Sequence, residues 1–165
     1  MLGGLRMTNT MRRLFFSLLV LFLLNGCYST NANEDLFDFK GSFIGDNSAV
    51  GNIVKQLPNG QHLKGFELKT KEEPYGIILN YEGIEAEEIE KKYKETAIYN
   101  ATFIFALVQN AEWVTFKFED QVYQLTKENL QHSYGADLSD YSSEDDLKKR
   151  IQKYLEDENK GSEIL

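Results

Sequence analysis

The most apolar segment near the middle of the chain is Ala97-Ile98-Tyr99-Asn100-Ala101-Thr102-Phe103-Ile104-Phe105-Ala106-Leu107-Val108. Upstream of it, Ile89 and Tyr93 continue the same three- and four-residue spacing, which is the period of an α-helix. The sequence therefore predicts a helix over 85–109. Its first half carries Glu and Lys and is half solvated, whereas its second half is apolar nearly all round and forms the core helix, with Phe105 buried.

Segments of alternating hydrophobicity lie on both sides of this helix. Before it, 62–70 and 75–81 alternate and are joined by a short loop that contains Pro74. After it, 113–118 and 122–125 alternate around a short polar turn. Each pair of segments predicts a β-hairpin.

Shorter helices complete the predicted order. An apolar stripe over 50–57 follows the capping candidates Gly45-Asp46-Asn47, and Thr126 can cap a helix that ends near Gly135. Ser143, with an acid three residues later, resembles a capping box that begins the last helix. The order is α-β-β-α-β-β-α-α. It predicts an α+β domain with an antiparallel sheet of two β-hairpins and with helices packed on one face.

The N-terminus carries the features of an export signal. Arg12 and Arg13 precede the apolar run 14–24, which is 11 residues long. Such a helix rises only about 16 Å, whereas the hydrocarbon core of a bilayer is about 30 Å thick. The segment therefore predicts a cleaved signal rather than a permanent span. Met11 directly precedes the basic pair and is interpreted as the start of translation, with Met1 and Met7 as the alternatives.

The residues Leu24-Asn25-Gly26-Cys27 resemble the lipobox of bacterial lipoproteins. The resemblance implies a diacylglycerol on the sulfur of Cys27 and cleavage before it, and two acyl chains give stable membrane attachment. The alternative is an ordinary signal peptide that ends near a cysteine. The predicted organisation is a signal peptide over 1–26, the lipidated Cys27 and a polar tether over 27–35, and a single α+β domain over 36–165. The predicted location is the extracytoplasmic face of the cell membrane. The segment 36–44 alternates in part and is predicted to be extended and packed on the core.

The composition excludes several classes of function. The chain holds 26 Asp and Glu against 18 Lys and Arg, and residues 27–165 carry a net charge of −11. So acidic a surface argues against nucleic acid and against electrostatic binding to anionic lipid. The single Cys excludes an intrachain disulfide and a Cys-based zinc site, and lipidation would consume its thiol. No cofactor and no metal ligand is predicted.

Other candidate sites have simpler interpretations. Neither His62 nor His132 belongs to a pattern of nucleophilic catalysis, and no G-x-S-x-G elbow occurs. The acidic cluster over 137–146 lacks the spacing and the glycine of a calcium loop, and its acids suit a helix N-terminus, with weak cation binding as the alternative. The segment 45–52 resembles a glycine loop for an anion, but it has no Lys and carries Asp46, so N-capping is preferred.

Trp113 is an aromatic residue that does not fall at a core position of its strand. It alternates with the apolar residues of its strand and therefore falls on the opposite face of the sheet. The predicted interaction patch consists of Trp113, Thr115, Lys117 and Ile78, with Gly76 and Asn80 beside them. Such a patch, if exposed, would mark a partner site. The alternative is that 36–44 or the C-terminal helix covers it.

Four segments resemble a known domain: 43–54, Leu57-Pro58, 66–70 and 74–77. They resemble a small domain of unknown function of the DUF4825 type, which occurs in lipoproteins of Bacillus-like Firmicutes and is similar to segments attached to membrane metallopeptidase-like proteins. The resemblance covers about 36–125. It implies an extracytoplasmic sensing or accessory module without assigned catalytic residues, and the His-Glu-x-x-His zinc motif is absent.

The sequence thus predicts a membrane-anchored extracytoplasmic lipoprotein that acts as a binding, sensing or accessory module. Its predicted partners are the membrane, through the diacylglycerol anchor, and a membrane sensor or peptidase-like protein. The alternative from another class is a cell-envelope hydrolase that uses Asp or Glu. That alternative needs two carboxylates about 5–10 Å apart in one cleft.

Overall fold

Within residues 35–156, which the computed structural model describes, helices and strands follow the predicted order. The elements are α1 (Asn47–Gln56), β1 (Leu63–Lys69), β2 (Gly76–Tyr81), α2 (Ile89–Leu107), β3 (Trp113–Lys117), β4 (Val122–Thr126), α3 (Lys127–Tyr134) and α4 (Glu144–Leu155). Short 3-10 turns lie at Leu36–Phe39, Gly60–His62 and Leu138–Asp140. The predicted α+β class is confirmed. The predicted signal peptide, Cys27 and the tether up to Glu34 lie outside the described residues.

The strands form one mixed sheet in the order β1-β2-β3-β4. Both predicted hairpins are present, because β1 pairs with β2 and β3 pairs with β4 in antiparallel fashion. The two central strands, however, are parallel, and Ile78 lies opposite Thr115. The reason is the long connection through α2, which returns the chain to the end of the sheet where β2 begins. The sheet is therefore mixed rather than wholly antiparallel.

The core lies between one face of the sheet and the helices. Every residue of α2 from Asn100 to Leu107 is buried, which confirms the predicted core helix. Alternating residues of three strands join it in one hydrophobic cluster: Ile77, Leu79, Tyr81, Val114, Phe116, Tyr123 and Leu125. α2 also contacts α1, α3 and α4. Because helices and sheet surround α2, its second half can be apolar on all sides.

The two polar residues of this stretch tie α2 to its neighbours. Asn100 donates from Nδ2 to the carbonyl oxygen of Pro58, at 3.0 Å, and to the hydroxyl of Tyr81, at 3.1 Å. Thr102 donates to the carbonyl oxygen of Ile98, and its Oγ1 lies 2.8 Å from the hydroxyl of Tyr134. Burial raises the pKa of Tyr81 to about 12. Burial also raises the pKa of the Tyr134 hydroxyl, so both hydroxyls stay neutral at physiological pH.

The predicted helix starts are confirmed by their caps. The side chain of Asp46 accepts hydrogen bonds from the backbone of Ser48 and Ala49 at the start of α1. Thr126 caps α3 in the same way, and Ser143 caps α4. The segment 45–52 therefore begins a helix with an aspartate cap, as predicted, rather than a phosphate-binding loop.

The segment 36–44 differs from its prediction. Its first part is the 3-10 turn Leu36–Phe39, since the side chain of Asp35 accepts a hydrogen bond from the backbone N–H of Phe37. Only Ser42 pairs in extended fashion, in a parallel bridge with Val108. The segment does pack on the core, because Leu36 and Ile44 are buried.

Phe105→Ala should lower the free energy of unfolding by about 3–5 kcal/mol, because a ring that is 1% exposed leaves a cavity in the core. Phe43→Ala is the matched control, since Phe43 is 56% exposed, and it should cost less than about 1 kcal/mol. Urea unfolding followed by circular dichroism measures both. A loss below about 1 kcal/mol for Phe105→Ala would contradict the placement of this ring.

Candidate functional site

The second face of the sheet is the candidate site, and it is called the open face from here on. Register and alternation place twelve residues on it: Gly65, Glu67, Lys69, Gly76, Ile78, Asn80, Trp113, Thr115, Lys117, Val122, Gln124 and Thr126. Within residues 35–156, these residues are exposed or half-buried, with Gly76 as the one buried member. The helices therefore bury the other face.

The structure brings the four predicted patch residues together. Ile78 of β2 lies directly opposite Thr115 of β3, and Trp113 and Lys117 flank Thr115 along the same face. Trp113, Thr115 and Ile78 are half-buried, and Lys117 is exposed. This proximity depends on the parallel pairing of β2 and β3, which sets the four side chains in one register.

Gly76 leaves the room that the Trp113 indole occupies. A Cβ atom at Gly76 would lie 2.0 Å from Cε2 and 2.1 Å from Cδ2 of Trp113. The indole Nε1 donates a hydrogen bond of 2.8 Å to the carbonyl oxygen of Pro74, in the loop before β2. The ring therefore lies against the backbone of β2. It is neither a core side chain nor a freely exposed one.

The two outer strands give the open face different borders. On β1, Nζ of Lys69 donates a hydrogen bond of 2.7 Å to Oε2 of Glu67. This hydrogen bond and the charge of Lys69 lower the pKa of Glu67. On β4, Val122 is 64% exposed and Gln124 is exposed. These outer residues were not part of the patch predicted from the sequence, although the alternation within each hairpin could have placed them on the same face as Trp113.

A cleft of about 730 Å³ lies elsewhere, and it contains Lys40, Glu112, Lys127 and Asp137. Lys40 donates from Nζ to the carbonyl oxygens of two residues in the 138–141 segment. Lys127 donates to the carbonyl oxygen of Gln109. These bonds join separate segments of the chain, so both ammonium groups have structural partners.

The carboxylate of Asp137 in this cleft acts as a cap. It accepts hydrogen bonds of 2.8 Å from both the backbone N–H and the hydroxyl of Ser139. These bonds lower the pKa of Asp137. A general acid needs the opposite shift, because it must hold its proton at neutral pH. Asp137 is therefore not suited to that role.

The remaining predicted candidates have structural roles or none. His62 ends a 3-10 turn and His132 lies in α3, so they belong to different elements. In the acidic cluster, Glu144 forms an ion pair with Lys148 at 2.6 Å. No three His, Cys, Asp or Glu side chains within residues 35–156 form a group that could hold a metal ion.

These features define a small α+β domain whose sheet has one face without helical cover in residues 35–156. Residues 36–129 match the family described as a domain of unknown function (DUF4825), and the chain belongs to this family. The match begins at the first 3-10 turn and ends within α3, so it contains the whole sheet. No curated protein and no solved structure matches the chain. No helix in the described range has the length and apolar character needed to span a membrane.

Gly76→Ala should displace the Trp113 indole and lower the free energy of unfolding by about 1–3 kcal/mol, because the added methyl group needs the space of the ring. Since the chain has one Trp, its fluorescence should shift to longer wavelength as the ring becomes more exposed. The matched control is Gly65→Ala, on the same face, where an added Cβ meets no atom within 4 Å. Equal effects of the two variants would show that the indole does not pack on Gly76.

Proposed function

We propose that this chain is a membrane-anchored extracytoplasmic lipoprotein whose domain acts as a binding or accessory module. The open face is the surface that binds a partner protein. The observation that carries the proposal is the placement of Trp113, Thr115 and Ile78 side by side on a face without helical cover in the described residues. Tryptophan is enriched among the residues that dominate protein–protein binding energy.

The anchor part of the proposal draws its support from the sequence. The short apolar run 14–24 ends at Leu24-Asn25-Gly26-Cys27, which resembles a lipobox. Only seven residues, 28–34, separate Cys27 from Asp35. Such a tether spans at most about 25 Å when fully extended. A lipidated Cys27 would therefore keep the domain close to the outer surface of the bilayer, where it would meet membrane proteins at a high effective concentration.

A membrane sensor or a peptidase-like membrane protein is the partner class to test first. This choice follows from the resemblance of the family to segments attached to membrane metallopeptidase-like proteins. The module itself would supply no catalytic group, since its role is to bind.

The hydrolase alternative draws little support from the 730 Å³ cleft. Both Glu112 and Asp137 line it, but the carboxylate of Asp137 already accepts hydrogen bonds from Ser139 and has a lowered pKa. A glycosidase-type pair needs one carboxyl group that protonates the leaving group, and the lowered pKa of Asp137 does not suit Asp137 to that role. Binding through the open face therefore remains the better supported function.

Cys27→Ala should abolish metabolic labelling with palmitate and should release the protein from the membrane fraction, because the thiol that would carry diacylglycerol is gone. Cys27→Ser is a second variant of the same size as the native residue. If either variant still labels with palmitate and sediments with membranes, the proposed anchor is wrong.

Thr115→Arg should prevent capture of the partner from crosslinked membranes, because it places a long charged side chain at the centre of the open face without removing the packing of Trp113. Thr70→Arg is the matched control, since Thr70 is exposed and lies outside the open face. Both variants should keep the melting temperature of the native protein. Capture of the same partner by the native protein and by Thr115→Arg would contradict the proposal.

A further inference from the structure

β4 is an edge strand, and the hydrogen bonds at its two ends show which way its backbone points. At one end the N–H of Lys127 donates to the carbonyl oxygen of Glu112 at 2.9 Å. At the other end the N–H of Phe118 donates to the carbonyl oxygen of Gln121, also at 2.9 Å. These pairs keep the register of the β3–β4 ladder. Because bonded and non-bonded pairs alternate in an antiparallel ladder, Val122 and Gln124 direct their N–H and C=O groups away from β3.

The two edges of the sheet differ in their protection. β1 has the features that discourage another strand from pairing: a register shift between Leu63 and Gly65 and charged side chains at exposed positions. β4 consists of Val122-Tyr123-Gln124-Leu125-Thr126, with no charged residue, no Pro and an unbroken register. Val122 and Phe43 are the two large hydrophobic side chains that are exposed within residues 35–156. The β4 edge is thus both unpaired and unprotected in the described part of the chain.

We propose that β4 binds an extended, basic segment of the partner protein as a fifth strand of the sheet. This deepens the proposed function, on which it rests, by naming the structural form and the chemistry of what is bound. The outward backbone groups of Val122 and Gln124 are complementary to the backbone of another strand. An added strand would also extend the open face, since its alternate side chains continue the row that Val122 and Gln124 begin.

Charge favours a basic segment. Residues 35–156 hold 22 Asp and Glu against 14 Lys and Arg, a net charge of −8. Glu119 and Asp120 form the turn before β4, with Gln121 between this turn and Val122. A lysine or arginine at the end of the bound strand would lie near these carboxylates, and an apolar residue would lie beside Val122. Such complementarity selects partners and speeds their association.

Amide exchange measured by NMR on the full chain in detergent micelles tests the proposal. The probe is the synthetic peptide acetyl-Lys-Val-Thr-Val-Thr-Lys-amide, and its control has Glu in place of both Lys. In the free chain the amides of Val122 and Gln124 should exchange faster than those of Tyr123 and Leu125. The basic peptide should slow the exchange of Val122 and Gln124, and the acidic control should bind at least about tenfold more weakly.

Gln124→Pro and Gln124→Ala separate recognition of the backbone from recognition of the side chain. Proline removes an N–H that bonds nothing in β3, so the sheet should tolerate it at this edge position. It should weaken peptide binding about tenfold, whereas alanine, which keeps the N–H and removes only side-chain contacts on the open face, should weaken it clearly less, by about threefold at most.

Three results would overturn the proposal. Slow exchange of Val122 and Gln124 in the free monomer would show that another part of the chain covers this edge. Protection that increases with protein concentration, together with a dimer in sedimentation, would show that a second copy pairs with β4. Equal peptide binding by Gln124→Pro and Gln124→Ala would show that the backbone is not recognised. In each case the proposed function of the open face would still stand if Thr115→Arg fails to capture the partner that the native chain captures.

Discussion

The burial of α2 determines how the other elements of the domain are arranged. Its residues from Asn100 to Leu107 are buried on every side, so they need neighbours all round. The sheet supplies one side, and α1, α3 and α4 supply the others. Because the helices are used to enclose α2, they pack on the face of the sheet that α2 occupies. The opposite face is left open in the described part of the chain, so the core helix determines where a binding surface can exist.

The same helix fixes the geometry of that surface. By crossing from the end of β2 to the start of β3, α2 makes the two central strands parallel and sets Gly76 beside Trp113 and Ile78 beside Thr115. The missing side chain at Gly76 then allows the indole to lie on the sheet and to donate to the carbonyl oxygen of Pro74. A surface held in this way is already organised in the free chain, so binding of the proposed partner would cost less conformational entropy.

Local sequence patterns were enough to predict the helices and strands, but not which strands lie side by side in the sheet. The stripes and alternations gave the helices and hairpins, and the caps at Asp46, Thr126 and Ser143 were recognised from residue type and spacing. The parallel pairing of β2 and β3 was missed, because alternation within a strand carries no information on which strand lies beside it. The half-buried state of Trp113 was unpredictable for the same reason, since it depends on Gly76 across that pairing. The extended prediction for 36–44 failed because a side-chain cap from Asp35 favours a tight turn.

We expect the open face to be free in the isolated chain and covered by a partner at the cell surface. Thr115→Cys tests it directly, because the lipidated Cys27 would leave the introduced thiol as the only free one. A membrane-impermeant maleimide should label this variant rapidly in the purified chain and slowly in intact cells. Lys149→Cys, at an exposed position on α4, should label equally in both settings. Equal labelling of Thr115→Cys in the two settings, or none in the purified chain, would show that no partner covers the open face or that the face is not free.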